Sequence, residues 1–128
     1  MAKTVIRTEA APAPFQGAPY SQAIRSGDLV FVSGQLGLKP GETQLPEGIA
    51  AQTAQALANL AAILVAAGSS PAHIVKTTVF LVDLNDFAGM NEVYAGFAGD
   101  LPPARSTVQV AKLPSAALVE IEAIAAVA

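Results

Sequence analysis

Residues 48 to 68, GIAAQTAQALANLAAILVAAG, contain no charged residue, and this segment limits the fold more than any other. Its length would let a helix cross a bilayer, so a membrane span is one interpretation. Its side chains, however, divide into two helical stripes. The polar stripe comprises Gln52, Gln55 and Asn59, and the more apolar one Ile49, Thr53, Leu57, Leu60 and Leu64. This division predicts an amphipathic helix packed on a sheet and ended by Gly68.

Length and composition favour a single domain over residues 1 to 128. A chain of this size can bury about two-thirds of its unfolded surface. Hydrophobic residues make up 52% and charged residues 13% of the sequence. Such a composition leaves much of the surface apolar, and part of that surface is expected to contact another copy of the chain.

Charge and residue counts argue against several classes of function. Seven basic residues against ten acidic ones give a net charge of −3, which disfavours nucleic acid as a partner. The chain has no cysteine and a single histidine, His73, so neither a thiolate nucleophile nor a zinc site is expected, and no cofactor is predicted. The first residues show no apolar signal core, which predicts a cytoplasmic protein without a membrane anchor.

The remaining sequence predicts six strands and a second helix. The strands are predicted at 4–8, 20–26, 30–34, 75–83, about 105–111 and 118–127. Asn85 is expected to cap a helix that ends at Gly99. The order β-β-β-α-β-α-β-β indicates an α/β (α+β) fold, with a βαβ crossover in the middle and antiparallel hairpins at both ends. Both helices would lie on one face of a mixed sheet, so the other face would need a cover.

Alternation in the last two strands suggests a polar cluster. In LVEIEAIAAV, Glu120 and Glu122 point away from an apolar side, and in ARSTVQVA the residues Arg105, Thr107 and Gln109 share a side. If these strands form a hairpin, Arg105 lies near both carboxylates on the face away from the helices. Such a cluster is either a structural salt bridge or part of a binding site, and alternation does not distinguish the two.

Five stretches, in order and with compatible spacing, make the chain similar to the Rid (reactive intermediate deaminase, also called YjgF) family. They are APYSQAI at 18–24, VFVSGQL at 30–36, VKTTVFLVDLNDFAGMNEVY at 75–94, PPARSTVQVAKLP at 102–114 and VEIEAIA at 119–125. The resemblance implies a chorismate-mutase-like fold with two helices on a six-stranded sheet, and a homotrimer with clefts between adjacent subunits. It also implies 2-iminobutanoate/2-iminopropanoate deaminase activity. Such an enzyme hydrolyses 2-aminoacrylate and its imine tautomers to 2-keto acids and ammonia without a cofactor.

The resemblance also assigns roles to residues. The carboxylate-binding arginine of the family corresponds to Arg105 and its catalytic glutamate to Glu120. The other substrate-binding positions correspond to Tyr20, Ser33 and the backbone of Gly34, with Thr107 beside the arginine. Two departures stand out: PFQGAPY at 14–20 replaces the commoner IGPY, and Thr107 stands where several members have cysteine. The first of these predicts a different entrance loop and substrate preference.

These assignments fit the chemistry of an imino acid. A guanidinium can hold both oxygens of a carboxylate through paired hydrogen bonds, and a positioned carboxyl group can move protons between water and the imine nitrogen. Glu122 either raises the proton affinity of Glu120 by repulsion or pairs with a basic residue, and simple pairing is favoured. One alternative function is a non-catalytic trimeric module that binds 2-keto acids or other small carboxylates. RNA cleavage or chaperoning, suggested by some relatives, is disfavoured by the acidic balance.

Overall fold

Six strands form one mixed sheet, and two helices pack against it in the computed structural model, which describes residues 2–128. The strands are β1 (Lys3–Ile6), β2 (Ala23–Ser26), β3 (Leu29–Leu36), β4 (Ile74–Leu81), β5 (Ala104–Gln109) and β6 (Val119–Ala126). The helices are α1 (Ile49–Ala66) and α2 (Phe87–Ala98). The predicted order of elements is therefore confirmed.

The strands lie in the order β1-β2-β3-β6-β4-β5. Strands β4 and β5 are parallel and joined through α2, so the predicted crossover is confirmed. The predicted hairpin of the last two strands is wrong, because β6 pairs antiparallel with β3 and β4 and does not neighbour β5. The burial of the two strands accounts for this placement. One side of β6 is wholly apolar and buried, as suits a central strand, whereas β5 is the more exposed strand at the edge.

Helix α1 packs its apolar side into the protein core, where Leu60, Ile63 and Leu64 are fully buried. It is long and apolar enough to span a membrane by length and composition alone, a test that the core helix of a soluble protein also passes. Gly68 follows the helix with a φ of +82°, which confirms its predicted role as the stop.

The polar stripe of α1 does not face solvent, as an amphipathic helix would suggest. Gln52 and Asn59 are 5% and 1% exposed. The Gln52 side chain accepts from the Leu118 amide at 2.8 Å, and Asn59 Nδ2 donates to the carbonyls of Leu36 at 3.1 Å and Leu38 at 2.8 Å. These amides are buried because they satisfy backbone groups at the end of β3 and just before β6.

Helix α2 begins differently from the prediction. Asp83, and not Asn85, supplies the capping side chain: its carboxylate accepts from the Asn85 amide at 2.9 Å, in a 3₁₀ turn that leads into α2. The helix ends before Gly99, as predicted, with a φ of 69° at that glycine. Near its middle, the Tyr94 hydroxyl forms a buried 2.7 Å hydrogen bond with Thr77 of β4, which fixes α2 on the sheet.

The two faces of the sheet differ in what covers them. One cross-strand row runs through Ile6, Ala23, Val32, Ala123, Thr77 and Arg105, and its first five members are buried beneath the helices. The opposite face, called the open face below, carries Val5, Leu29, Phe31 and Val108, each 40% to 43% exposed. The sequence-based expectation of an uncovered sheet face holds for this chain on its own.

Candidate active site

The Glu120 carboxyl group lies directly over the backbone of Gly34. Between Val32 and Gln35 the pairing of β3 with β6 shifts by one residue, so Ser33 and Gly34 form a bulge opposite β6. A Cβ atom on Gly34 would lie only 2.8 Å from Glu120 Cδ. Because Gly34 has no side chain, the carboxyl group can reach this position.

A cleft of about 420 Å³ opens beside this carboxyl group. Its lining residues are Phe15, Ala18, Tyr20, Ser33, Gly34, Leu36, Pro114, Glu120 and Glu122. Four residues predicted for the site, Tyr20, Ser33, Gly34 and Glu120, therefore lie together. Within residues 2–128, no group of three or more His, Asp or Glu side chains is placed to hold a metal ion.

The hydroxyl groups of the cleft are held by the backbone. Ser33 Oγ donates to the Ser21 carbonyl at 2.6 Å, so it presents lone pairs rather than its proton to a ligand. The Tyr20 hydroxyl accepts from the Phe15 amide at 2.5 Å and retains its own proton for donation. Tyr20 thus fastens the loop that precedes it as well as lining the cleft.

The environment of Glu120 favours its protonated form. Partial burial raises the pKa of Glu120 above its ordinary value, and repulsion from the Glu122 carboxylate raises it further. The sequence favoured pairing of Glu122 with a basic residue over repulsion between Glu122 and Glu120. The repulsion is nevertheless present. A carboxyl group with a raised pKa holds its proton at a higher pH than an ordinary glutamate does, which suits a residue that transfers protons.

Arg105 lies on the other face of the sheet, against α2. Its guanidinium carbon is 4.8 Å from the centroid of the Tyr94 ring and 5.5 Å from that of Phe87. Within residues 2–128 the only hydrogen-bond contact of this group is a long one, 4.0 Å from Nη1 to Met90 Sδ. The aromatic rings hold the cation in place, and its donors stay available for an anion.

Thr107 lies two residues further along β5 and on the same side as Arg105. Its Oγ1 is buried and has no hydrogen-bond partner among the described residues. A buried hydroxyl without a partner is uncommon, so this hydroxyl is also available to hydrogen-bond a ligand next to the guanidinium.

The prediction that Arg105 and the two glutamates share a face is wrong for a single chain. Arg105 is level with Thr77 of β4, whereas Glu120 is level with Phe80, three residues along the same strand. Side chains three residues apart in a strand point to opposite faces. The residues therefore form two sets, named here the anchor half (Arg105 and Thr107) and the cleft half (Tyr20, Ser33, Gly34 and Glu120).

Sequence reasoning gave no role in the site to several residues that shape it. Phe15, Leu36 and Pro114 supply the apolar wall of the cleft, and the signal for the first was the unusual loop at 14–20. Gln52 and Asn59 fix the backbone on either side of the Glu120–Gly34 contact. Their signal was the presence of amides in an otherwise apolar helix.

Comparison with known proteins identifies the family of the chain. The family model described as Endoribonuclease L-PSP matches residues 8–127. The chain belongs to this family, the Rid (YjgF) family. The prediction of Rid membership from the five sequence stretches is confirmed.

Individual Rid relatives cover nearly the whole chain. A RutC family protein of Pyrococcus horikoshii is 51% identical over 124 residues, which are 96% of this chain and 97% of that protein. A 2-iminobutanoate/2-iminopropanoate deaminase of Mus musculus is 48% identical over 124 residues, which are 96% and 90% of the two chains. The crystal structure of RidA from an Antarctic Psychrobacter matches with a TM-score of 0.92 at 45% identity, covering 97% of this chain and 99% of that one.

A side chain on Gly34 should displace Glu120 and leave the fold nearly unchanged. The atoms in the way belong to the mobile end of the glutamate, and the φ of Gly34 lies outside the left-handed region. We therefore expect Gly34→Ala to lower the pKa of Glu120 towards its ordinary value while the melting temperature moves by less than about 3 °C. Carboxyl ¹³C NMR titration measures the pKa. Gly96→Ala, at an exposed α2 position with no atom near the added carbon, is the control and should leave that pKa unchanged.

Removal of the Glu120 charge should stabilise the protein at neutral pH. The folded chain binds a proton at Glu120 more tightly than the unfolded chain, so ionisation of this group with rising pH lowers the free energy of unfolding. Glu120→Gln should raise the melting temperature at pH 7.5 by at least about 2 °C. This increase in melting temperature should become smaller as the pH falls and should vanish below 4.5, the ordinary pKa of a glutamate side chain.

Thermal melts from pH 4 to pH 8 measure this dependence. Glu92→Gln, which removes an exposed carboxylate on α2, is the matched control and should show no comparable gain. A Glu120→Gln protein less stable than the parent at pH 7.5 would contradict the assignment of a raised pKa.

Proposed function

We propose that the protein is an imine deaminase that hydrolyses 2-aminoacrylate and its imine tautomers, including 2-iminopropanoate and 2-iminobutanoate. The observation that carries the proposal is the Arg105 guanidinium, which lies over the Tyr94 and Phe87 rings and, among residues 2–128, has no hydrogen-bond contact except the long one to Met90. Such a group suits a small carboxylate, which every imino acid offers. The deaminase names of relatives with this degree of identity support the reaction class.

The site is proposed to lie between subunits. The anchor half and the cleft half face opposite sides of the sheet, so one chain cannot close both around a small substrate. A second copy seated on the open face would bring its anchor half to the cleft and cover the exposed Phe31 and Val108. The two contacting surfaces would be different, so the contact would be heterologous, a type that forms a ring when its rotation closes. We expect three subunits, as the family resemblance implies.

The reaction needs one anchor and one proton carrier. Arg105 of one subunit holds the substrate carboxylate, and Glu120 of the next faces the imine carbon. Water adds to the carbon of the C=N bond while Glu120 passes a proton from that water to the nitrogen. The resulting carbinolamine then expels ammonia and leaves the C=O of a 2-keto acid. The atoms balance as imino acid plus water giving keto acid plus ammonia, so no oxidant or reductant is needed.

A non-catalytic carboxylate-binding module is the second candidate. It rests on the same observation, since the Arg105 guanidinium over the Tyr94 ring would bind a keto acid as well as an imino acid. The raised pKa of Glu120 favours the deaminase, because binding alone has no need for a carboxyl group with increased proton affinity. RNA cleavage, which the family description names, fits poorly with seven basic against ten acidic residues.

Imine trapping separates the two candidates. A dehydratase generates 2-aminoacrylate from serine, and semicarbazide captures the imine that survives. Added protein should reduce the captured imine, whereas a binding module would leave it unchanged. Arg105→Lys retains the charge but loses the paired donors, worth roughly 1.5–3 kcal/mol each, so kcat/KM should fall at least about tenfold. Val65→Ala, on the outer side of α1, is the control. Full activity in a folded Arg105→Lys protein would contradict the anchor role.

Mixed oligomers test the shared site. Arg105→Ala and Glu120→Gln should each be inactive alone. If every site takes Arg105 from one subunit and Glu120 from the next, an equal mixture denatured and refolded together should recover about a quarter of the parental activity, since about one site in four has both residues intact. No recovery from refolded mixed oligomers, confirmed by sedimentation and by recovery of the parent, would place both residues in one chain and refute the shared site.

A further inference from the structure

We propose that Phe15 forms the pocket for the substrate side chain, so that the enzyme prefers imino acids with apolar side chains of three or four carbons over 2-iminopropanoate. This inference rests on the deaminase function proposed above and names the substrate class of the same cleft. It arises from the loop at 14–20, the segment in which the sequence departs from the commoner pattern.

The loop holds Phe15 in a fixed position. The Phe15 amide donates to the Tyr20 hydroxyl at 2.5 Å, the Ala18 amide donates to the Phe15 carbonyl at 3.0 Å, and the Gly17 amide to the Pro14 carbonyl at 3.1 Å. Gln16 and Gly17 reverse the chain with φ values of 52° and 67°. With a fourth, from the Tyr20 amide to the Ala18 carbonyl at 2.8 Å, these hydrogen bonds restrict the backbone conformations open to the loop.

Phe15 stands between the Glu120 cleft and a neighbouring groove. It lines the cleft together with Leu36 and Pro114, and it also lines a groove of about 370 Å³ formed with Pro12 and Leu38 among others. Phe15 is thus shared by the two spaces, and a smaller residue here would remove apolar surface on which a substrate side chain could pack.

The lining of the cleft combines polar and apolar side chains. Tyr20, Ser33 and the two glutamates can handle an imine and a water, and Phe15, Ala18, Leu36 and Pro114 supply apolar surface. Burial of that surface favours aliphatic groups on the substrate. The nine lining residues of one chain include two carboxylates and no Lys or Arg, and the Arg105 proposed to come from the next subunit would already bind the substrate carboxylate, so an acidic side chain would meet repulsion.

Competition between hydrolysis and trapping measures the preference. An L-amino acid oxidase with catalase generates imines from L-alanine, L-norvaline and L-leucine, and a glutamate oxidase generates the acidic imine. Semicarbazide capture at several protein concentrations gives relative kcat/KM values. The parental protein should prefer the leucine-derived imine over the alanine-derived one by at least about tenfold, since apolar pockets discriminate by roughly tenfold or more per methylene. The glutamate-derived imine should be the poorest substrate.

Phe15→Ala should lower the leucine-to-alanine ratio at least about fivefold, chiefly through KM, because the side chain loses a packing surface. Phe15→Leu keeps an apolar surface and should retain most of the ratio. Val65→Ala is the control for handling and stability. Melting and sedimentation confirm that each variant is folded and assembled as the parent is. Should Phe15→Ala fail to fold, Phe15→Val serves as the same test.

The outcomes separate the two proposals. If the parent hydrolyses the imines and folded Phe15→Ala keeps the parental ratio, the role of Phe15 is refuted and the deaminase function stands. If the parent hydrolyses none of the imines, the deaminase function fails and this inference fails with it. A ratio that collapses in Phe15→Ala and persists in Phe15→Leu supports the inference.

Discussion

The contact between the Glu120 carboxyl group and the bare backbone of Gly34 is the constraint on which the rest of the site depends. It requires a bulge in β3 and a glycine at that bulge, and it requires β6 to lie immediately beside β3. Gln52 and Asn59 of α1 tie down the backbone just before β6 and at the end of β3. The buried amides of this helix, whose composition would allow a membrane span, thus help to position the Glu120 carboxyl group through the backbone that they bind.

The same contact has a cost in stability. A carboxyl group with a raised pKa destabilises the folded state at any pH at which it is ionised, so the fold would be more stable there without it. Glu122, on the same face two residues along β6, adds to that cost instead of relieving it. Such an arrangement is typical of residues kept for chemistry, because a merely structural glutamate gains nothing from burial beside a second carboxylate.

The sequence predicted local features well and strand neighbours poorly. β-branched runs, together with the stops at Gly68 and Gly99, were enough for the order of elements, because each is decided by nearby residues. Alternation also placed Glu120 and Arg105 correctly within their own strands. Alternation could not show which residues of β5 and β6 share a face of the sheet. That depends on the register of each strand with β4, which lies between them. The assumed hairpin supplied the wrong phase, and Arg105 was therefore assigned to the wrong face.

The corrected face changes what Arg105 implies about assembly. An arginine beside Glu120 in the same chain would have been satisfied there, and a salt bridge would have explained both residues. Among residues 2–128, the guanidinium held by Tyr94 and Phe87 has no carboxylate within salt-bridge distance, and Glu120, on the open face, has no such cation. Each half lacks what the other supplies, and the exposed apolar side chains provide a surface on which a second copy can bring them together. Because Arg105 and Glu120 are complementary groups on opposite faces of one chain, their placement favours a site shared between two chains. Sequence alternation alone, which put them on one face, did not point to this.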